Sequence, residues 1–122
     1  MELWANIGGE KFKFQGSFKS VMEQLLEKAK DKEAKLLSFH TGQKERRRFK
    51  RDYRAANKDL VQLAKNYLAW SYTIEIRKLN QQIKQLNKKR KLEPKKAVSY
   101  EKQIEELKSQ IENIKQKLNE LC

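Results

Sequence analysis

Apolar residues recur along this chain first with period two and then with helical spacing, and each period predicts an element. Between residues 3 and 14 they alternate, with Leu3, Ala5 and Ile7 before Gly8-Gly9 and Phe12 and Phe14 after it. Alternation marks a strand with one buried face, and paired glycines suit the positive φ angles of a two-residue hairpin turn. The pattern predicts a β-hairpin in which Ile7 faces Glu10, Ala5 faces Phe12 and Leu3 faces Phe14. Trp4 and Asn6 then pair with Lys13 and Lys11 on the other face. A lone hairpin is marginal in water, so the Leu3/Ala5/Phe12/Phe14 face is expected to dock on a helix.

From Ser17 the spacing becomes helical. Phe18, Val21, Met22, Leu25, Ala29 and Leu36 form one stripe, which predicts a helix from Ser17 or Ser20 through Leu37, with Ser20 and Glu23 at capping-box spacing. The segment 38–42 breaks it, and Thr41 is the expected N-cap of the next helix. Residues 43–92 hold no glycine or proline and predict one long helix. Its first half carries Phe49, Tyr53, Ala56, Leu60, Leu63, Tyr67, Trp70 and Ile74. Its second half carries Ala69, Tyr72, Ile76, Leu79, Ile83 and Leu86, out of phase with the first by about 200°. Pro94 ends it. A last helix follows over 97–121, with a heptad at Ala97, Tyr100, Ile104, Leu107, Ile111, Ile114, Leu118 and Leu121. Folding back at Pro94 sets Leu86 against Tyr100, Ile83 against Ile104, Leu79 against Leu107 and Ile76 against Ile111.

These elements define a mainly α protein. A long antiparallel helical (coiled-coil) hairpin spans 43–122 with its turn at 92–96, and a small β-hairpin plus helix over 1–42 packs at its base. The two segments are expected to form one cooperative unit. The phase slip in the long helix is read as a change of partner, from the N-terminal elements to the last helix.

Charge changes the picture more than composition does. The chain has 122 residues and a formal charge of +13, with Lys+Arg 29 against Asp+Glu 16. Most of the excess lies in two blocks. The first is Lys44, Arg46, Arg47, Arg48, Lys50, Arg51 and Arg54; the second is Lys84, Lys88, Lys89, Arg90, Lys91, Lys95 and Lys96. Arginine offers a planar fork that suits phosphate, whereas lysine acts as a point charge. Solubility alone would be met by mixed signs, as in residues 101–120, so single-sign blocks point to a polyanionic partner. On one straight helix the blocks would stand ~60 Å apart at 1.5 Å per residue. Phe49 and Tyr53, though interleaved with the first block, lie in phase with the buried stripe and are read as core, as are Tyr67 and Trp70. Trp4, beside Lys11 and Lys13, is read first as a ring covered by a neighbouring helix or second subunit, and otherwise as an exposed aromatic contact for a base or a partner's pocket.

No catalytic constellation emerges. His40 and Cys122 are the only residues of their types and sit far apart in sequence, so no metal-ligand spacing exists. His40 is read as a surface or capping residue. Gly8-Gly9 is explained by its turn and lacks a phosphate-loop pattern. Glu105 and Glu106, adjacent on a helix, point about 100° apart. No cofactor, small-molecule substrate or membrane contact is expected. A single cysteine, no signal-peptide pattern at residues 1–4 and no long apolar run suggest a reducing cytoplasm. The reading is a non-enzymatic basic protein that binds DNA or RNA, or a protein that handles it, in the manner of a regulator or a phage or mobile-element accessory factor. The rival is a coiled-coil interaction protein that forms a homodimer and docks on an acidic protein surface.

Overall fold

The computed structural model describes residues 1–121, so Cys122 lies outside the described residues. The protein is mainly α with a small N-terminal antiparallel sheet. In chain order it runs β1 (Glu2–Ile7), β2 (Glu10–Gln15), α1 (Phe18–Ala29), β3 (Ala34–His40), α2 (Gln43–Ala55), α3 (Leu60–Leu92), a 3-10 turn at Pro94–Lys96, and α4 (Ala97–Glu120). It divides into two compact units, Met1–Leu68 and a second that begins at Ala69.

In the first unit the hairpin has the expected register throughout, from Leu3↔Phe14 to Ile7↔Glu10. Gly8 (φ 60°) and Gly9 (φ 90°) take the left-handed turn, and Asn6 Oδ1 accepts the Gly9 N–H at 3.0 Å. The helix after it differs from expectation. Ser17 caps α1, its Oγ accepting from Ser20 N at 3.2 Å, so Ser20 is inside the helix. The helix stops at Ala29, because Lys30 adopts φ 49° and ψ −115° in a turn closed by Lys32 N to Ala29 O at 2.8 Å. The stretch expected to continue the helix is instead β3, which pairs antiparallel with β1 and makes a three-stranded sheet of order β2-β1-β3. His40, expected in a connecting segment, is the last residue of β3 opposite Glu2.

A bulge explains why β3 is hard to see in the sequence. Ala34, Leu36 and Phe39 pair with Ile7, Ala5 and Leu3 on one face, and Leu37 is the extra residue between the rungs Ala5↔Leu36 and Trp4↔Ser38. Beyond the bulge the inward positions change parity, so simple alternation fails. The inward face then packs on helices: Leu3, Ala5, Val21, Met22 and Leu25 are fully buried. The Lys28 ammonium lies over the Phe12 ring, 4.7 Å from its centroid.

The long helix is also interrupted. α2 ends at Ala55, and Asn57 (φ 56°) and Lys58 (φ 60°) both turn left-handed, with Lys58 N donating to Tyr53 O at 2.9 Å. Asp59 then caps α3, its Oδ1 accepting from Gln62 N at 3.1 Å. Asparagine tolerates this conformation and aspartate starts helices, so the stop and the start sit side by side. At the other end of α2 the N-cap is Gly42, not Thr41, whose hydroxyl donates to Glu45 instead. Phe49 anchors α2, with its ring centroid 4.3 Å from Phe39, 5.8 Å from Tyr53 and 6.2 Å from Phe18. Tyr67 of α3 closes the cluster at 4.4 Å from Phe18, and Leu60, Leu63, Ala64 and Leu68 fill the floor.

In the second unit, the eight heptad residues from Ala97 to Leu121 are those that avoid full exposure; every other described residue from 97 onward is exposed. Tyr72 and Leu79 are buried on the facing stretch of α3. The pairing is displaced from the expected register. Leu86 and Lys89 share a groove with Gln103, Glu106 and Leu107, and Arg90 Nη1 lies 3.7 Å from Glu101. Leu86 is thus level with residues past Tyr100. The Tyr100 hydroxyl donates to Glu93 at the turn, which raises the phenol's pKa above its ordinary value. Trp70, expected in the core, is 49% exposed: the buried residues of this part of α3 are Leu68 and Tyr72, each two positions away and so on the opposite side of the helix.

Lys30 is the strained position of the turn between α1 and β3. Its conformation is that of the first central position of a type II′ turn, where glycine is favoured. Lys30→Gly is expected to stabilise the first unit by about 1 kcal/mol, strain relief exceeding the added chain entropy. A shift of the urea midpoint to lower concentration would contradict it.

Candidate polyanion interface

The first basic block lies on α2, and the burial of Phe49 fixes its orientation. At 100° per residue, Lys44, Arg47, Arg51 and Arg54 all fall within about 40° of the direction opposite Phe49. Spaced three, four and three residues apart, they form one continuous stripe on the solvent face, and all four are exposed. The stripe is about 15 Å long at 1.5 Å per residue, close to the ~14 Å axial span of five successive phosphates in one strand of duplex DNA. Lys50 and Arg46 flank it on one side, and both are exposed. Arg48 flanks the other, half-buried, with its guanidinium 5.5 Å from the Tyr67 ring centroid and 3.7 Å from Asp52.

The two acids of α2 lie toward the core edge and are engaged locally. Asp52 takes Arg48 and also Arg51, whose Nε is 3.6 Å away, and Glu45 takes the Thr41 hydroxyl. Among the described residues, no ion pair holds Lys44, Arg46, Arg47, Lys50 or Arg54. Like charges at i,i+3 and i,i+4 destabilise a helix by about 0.2–0.5 kcal/mol per pair, so α2 carries a penalty for its arrangement. The outer face of α4 is built differently. There Glu105 pairs with Lys108 and Glu112 with Lys115, each at 3.9 Å and three residues apart.

The second block surrounds the turn between α3 and α4. Lys84, Lys88, Lys89, Lys91, Lys95 and Lys96 are exposed, while Arg90 is half-buried against Glu101. Two apolar side chains project among them, Leu92 at 81% exposure and Val98 at 78%. Lys84, Lys88 and Lys91, four and three residues apart, share one face of α3, while Lys89 lies off that face and Lys95 and Lys96 come from the turn. The sequence estimate of ~60 Å between the blocks rested on an unbroken helix at 1.5 Å per residue, and it lapses with the break at 56–59.

Trp4 sits on the central strand of the sheet, half-buried, on the face away from α1. Its Nε1 donates to Glu2 Oε1 at 3.0 Å, and the Lys13 ammonium is 5.6 Å from the ring centroid. The Glu2 carboxyl is held below its ordinary pKa, first by that indole hydrogen bond and then by Gln15, Lys13 and His40, with desolvation opposing. The neighbours of Trp4 on β3 are not legible in the sequence, because Leu36 follows Ala29 at heptad spacing and mimics a continuing helix.

No helix among the described residues is long and apolar enough to cross a membrane. No family model matches the chain, and no solved structure matches it. It is similar to an uncharacterized protein of Aquifex aeolicus (strain VF5), 46% identical over 83 residues, which cover 68% of this chain and 65% of that relative. The match therefore spans just under two thirds of the relative's length.

Proposed function

We propose that this is a non-enzymatic cytoplasmic protein that binds the phosphate backbone of nucleic acid through the solvent face of α2, as an accessory or regulator of a nucleic-acid-processing machine. The observation that carries this reading is the Lys44/Arg47/Arg51/Arg54 stripe, of one sign and opposite the Phe49 anchor, set against the mixed charges of α4. A helix whose only task is to cover a core gains nothing from like-charge repulsion along its outer face. A phosphate backbone removes that repulsion and releases its own counterions. The lysine cluster at the turn is a secondary patch that adds affinity without base reading.

Binding should follow counterion release. Four phosphate contacts give a log–log salt slope of about −3.6 on duplex DNA, a loss of roughly 10²-fold in affinity from 50 to 200 mM salt. Fluorescence anisotropy with a labelled mixed-sequence duplex reads this directly. A slope near zero would contradict the proposal. So would polyglutamate competing as well as duplex, since that outcome places the protein on acidic protein surfaces.

A further inference from the structure

We infer that the uncovered face of the three-stranded sheet is a separate surface for unpaired nucleotides, on which Trp4 stacks a base while Lys11, Lys13 and Lys35 contact the adjoining phosphates. Among the described residues of the first unit, α1 packs on the Leu3/Ala5 side of this sheet, where Phe39 also meets Phe49 of α2. On the other side, the rungs read Lys13–Trp4–Ser38 and Lys11–Asn6–Lys35, joined by the pairings of β1 with β2 and of β1 with β3. The flanking residues Lys11, Lys13, Lys35 and Ser38 are all exposed.

The geometry suits one nucleotide step. Strands about 4.8 Å apart put Lys11 and Lys35 roughly 10 Å from each other across β1, and successive residues on one face are about 7 Å apart along a strand. The ring is held in place by its edge. Nε1 is taken by Glu2, which also accepts from Gln15 Nε2 at 3.3 Å, so stacking on the indole disturbs no hydrogen bond. The Lys13 ammonium over the ring also lies 3.7 Å from Glu2 Oε1, an exposed ion pair on a flexible stem that can turn outward to a phosphate.

The composition of this face argues against a protein partner. Contact cores between proteins are rich in apolar groups and poor in lysine, whereas Lys11, Lys13 and Lys35 flank Trp4 here and the bulge adds a single further exposed apolar side chain, Leu37. Single-stranded nucleic acid asks for an aromatic platform within a positive field, because its bases are free to stack and those of a duplex are already stacked. The inference shares with the α2 proposal only the class of ligand and can fail separately.

The protein has two tryptophans, so Trp70→Phe leaves Trp4 as the sole indole reporter. In that background, oligothymidylate is expected to quench Trp4 fluorescence, while heparin, a polyanion without bases, is not. Trp4→Ala should lower oligothymidylate affinity about tenfold and leave duplex affinity within about twofold; Trp4→Phe should retain most of it. Lys35→Glu, at an exposed position that leaves the core intact, should also weaken oligothymidylate. Equal quenching by heparin, or equal losses on duplex and single strand in Trp4→Ala, would overturn the inference. So would unchanged single-strand affinity in both Trp4→Ala and Lys35→Glu. Loss of duplex binding on changing α2, with quenching intact, would bear on α2 alone.

Discussion

Phe49→Ala is expected to destabilise the first unit by about 3–5 kcal/mol, the range for removing a buried aromatic. Phe49 is 1% exposed and is the one fully buried residue of α2. Its ring touches Phe39 of β3, Phe18 of α1 and Tyr53 of its own helix, so one truncation opens a cavity where three elements meet. Little else can hold α2 down. Its other inward contacts are smaller, Tyr53 half-buried beside Phe49 and Arg48 lying over the Tyr67 ring, and its like-charge pairs weaken the helix itself. A domain of this size has a small core, so a loss of that magnitude approaches its whole stability. Phe49→Leu keeps most of the volume and should lose far less, in the range of about 1–1.5 kcal/mol. Urea unfolding followed by circular dichroism measures both. A change below about 1 kcal/mol for Phe49→Ala would mean that α2 is anchored elsewhere and that Phe49 does not set the direction of the basic stripe.

What could be read from the sequence follows from how many local signals agreed. The hairpin register was legible because the Gly8-Gly9 turn and the alternation on both sides give the same answer. The α4 heptad was legible because eight apolar positions at 3.5-residue spacing admit a single buried face. β3 was missed for two reasons. Leu36 falls seven residues after Ala29, one heptad on, so it mimics a continuing helical stripe, and the bulge at Leu37 erases the alternation that would have marked a strand. The break at 56–59 was hidden in a similar way. Tyr53, Ala56, Leu60 and Leu63 keep their three-four spacing across the gap because α2 and α3 line the same core. The signal was present in Asn57-Lys58-Asp59, an asparagine able to turn left-handed beside an aspartate able to cap.

The candidate site was legible as charge but not as shape. A count of basic residues marks residues 44–54, yet it cannot separate Lys44, Arg47, Arg51 and Arg54 from Arg48, which lies against Tyr67 and Asp52. That distinction needs the direction of Phe49, and hence the packing of α2. Trp70 shows the opposite limit. Its phase matched the first stripe, but in this part of α3 the buried positions have moved to Leu68 and Tyr72 on the opposite side of the helix, a drift that regular spacing of apolar residues does not reveal.

The central claim is that the α2 stripe, more than total charge, binds the backbone. Two variants remove the same charge from different places: Lys44, Arg47, Arg51 and Arg54 all to Gln, and Lys88, Lys91, Lys95 and Lys96 all to Gln. Each takes four positive charges from the +13 of the chain. Measured by anisotropy on one duplex across a salt series, the α2 variant should lose about 10²-fold in affinity at 50 mM salt, with its slope nearly flat. The turn variant should keep most of its affinity, with a slope reduced by less. Equal losses in the two, or a larger loss in the turn variant, would contradict the account.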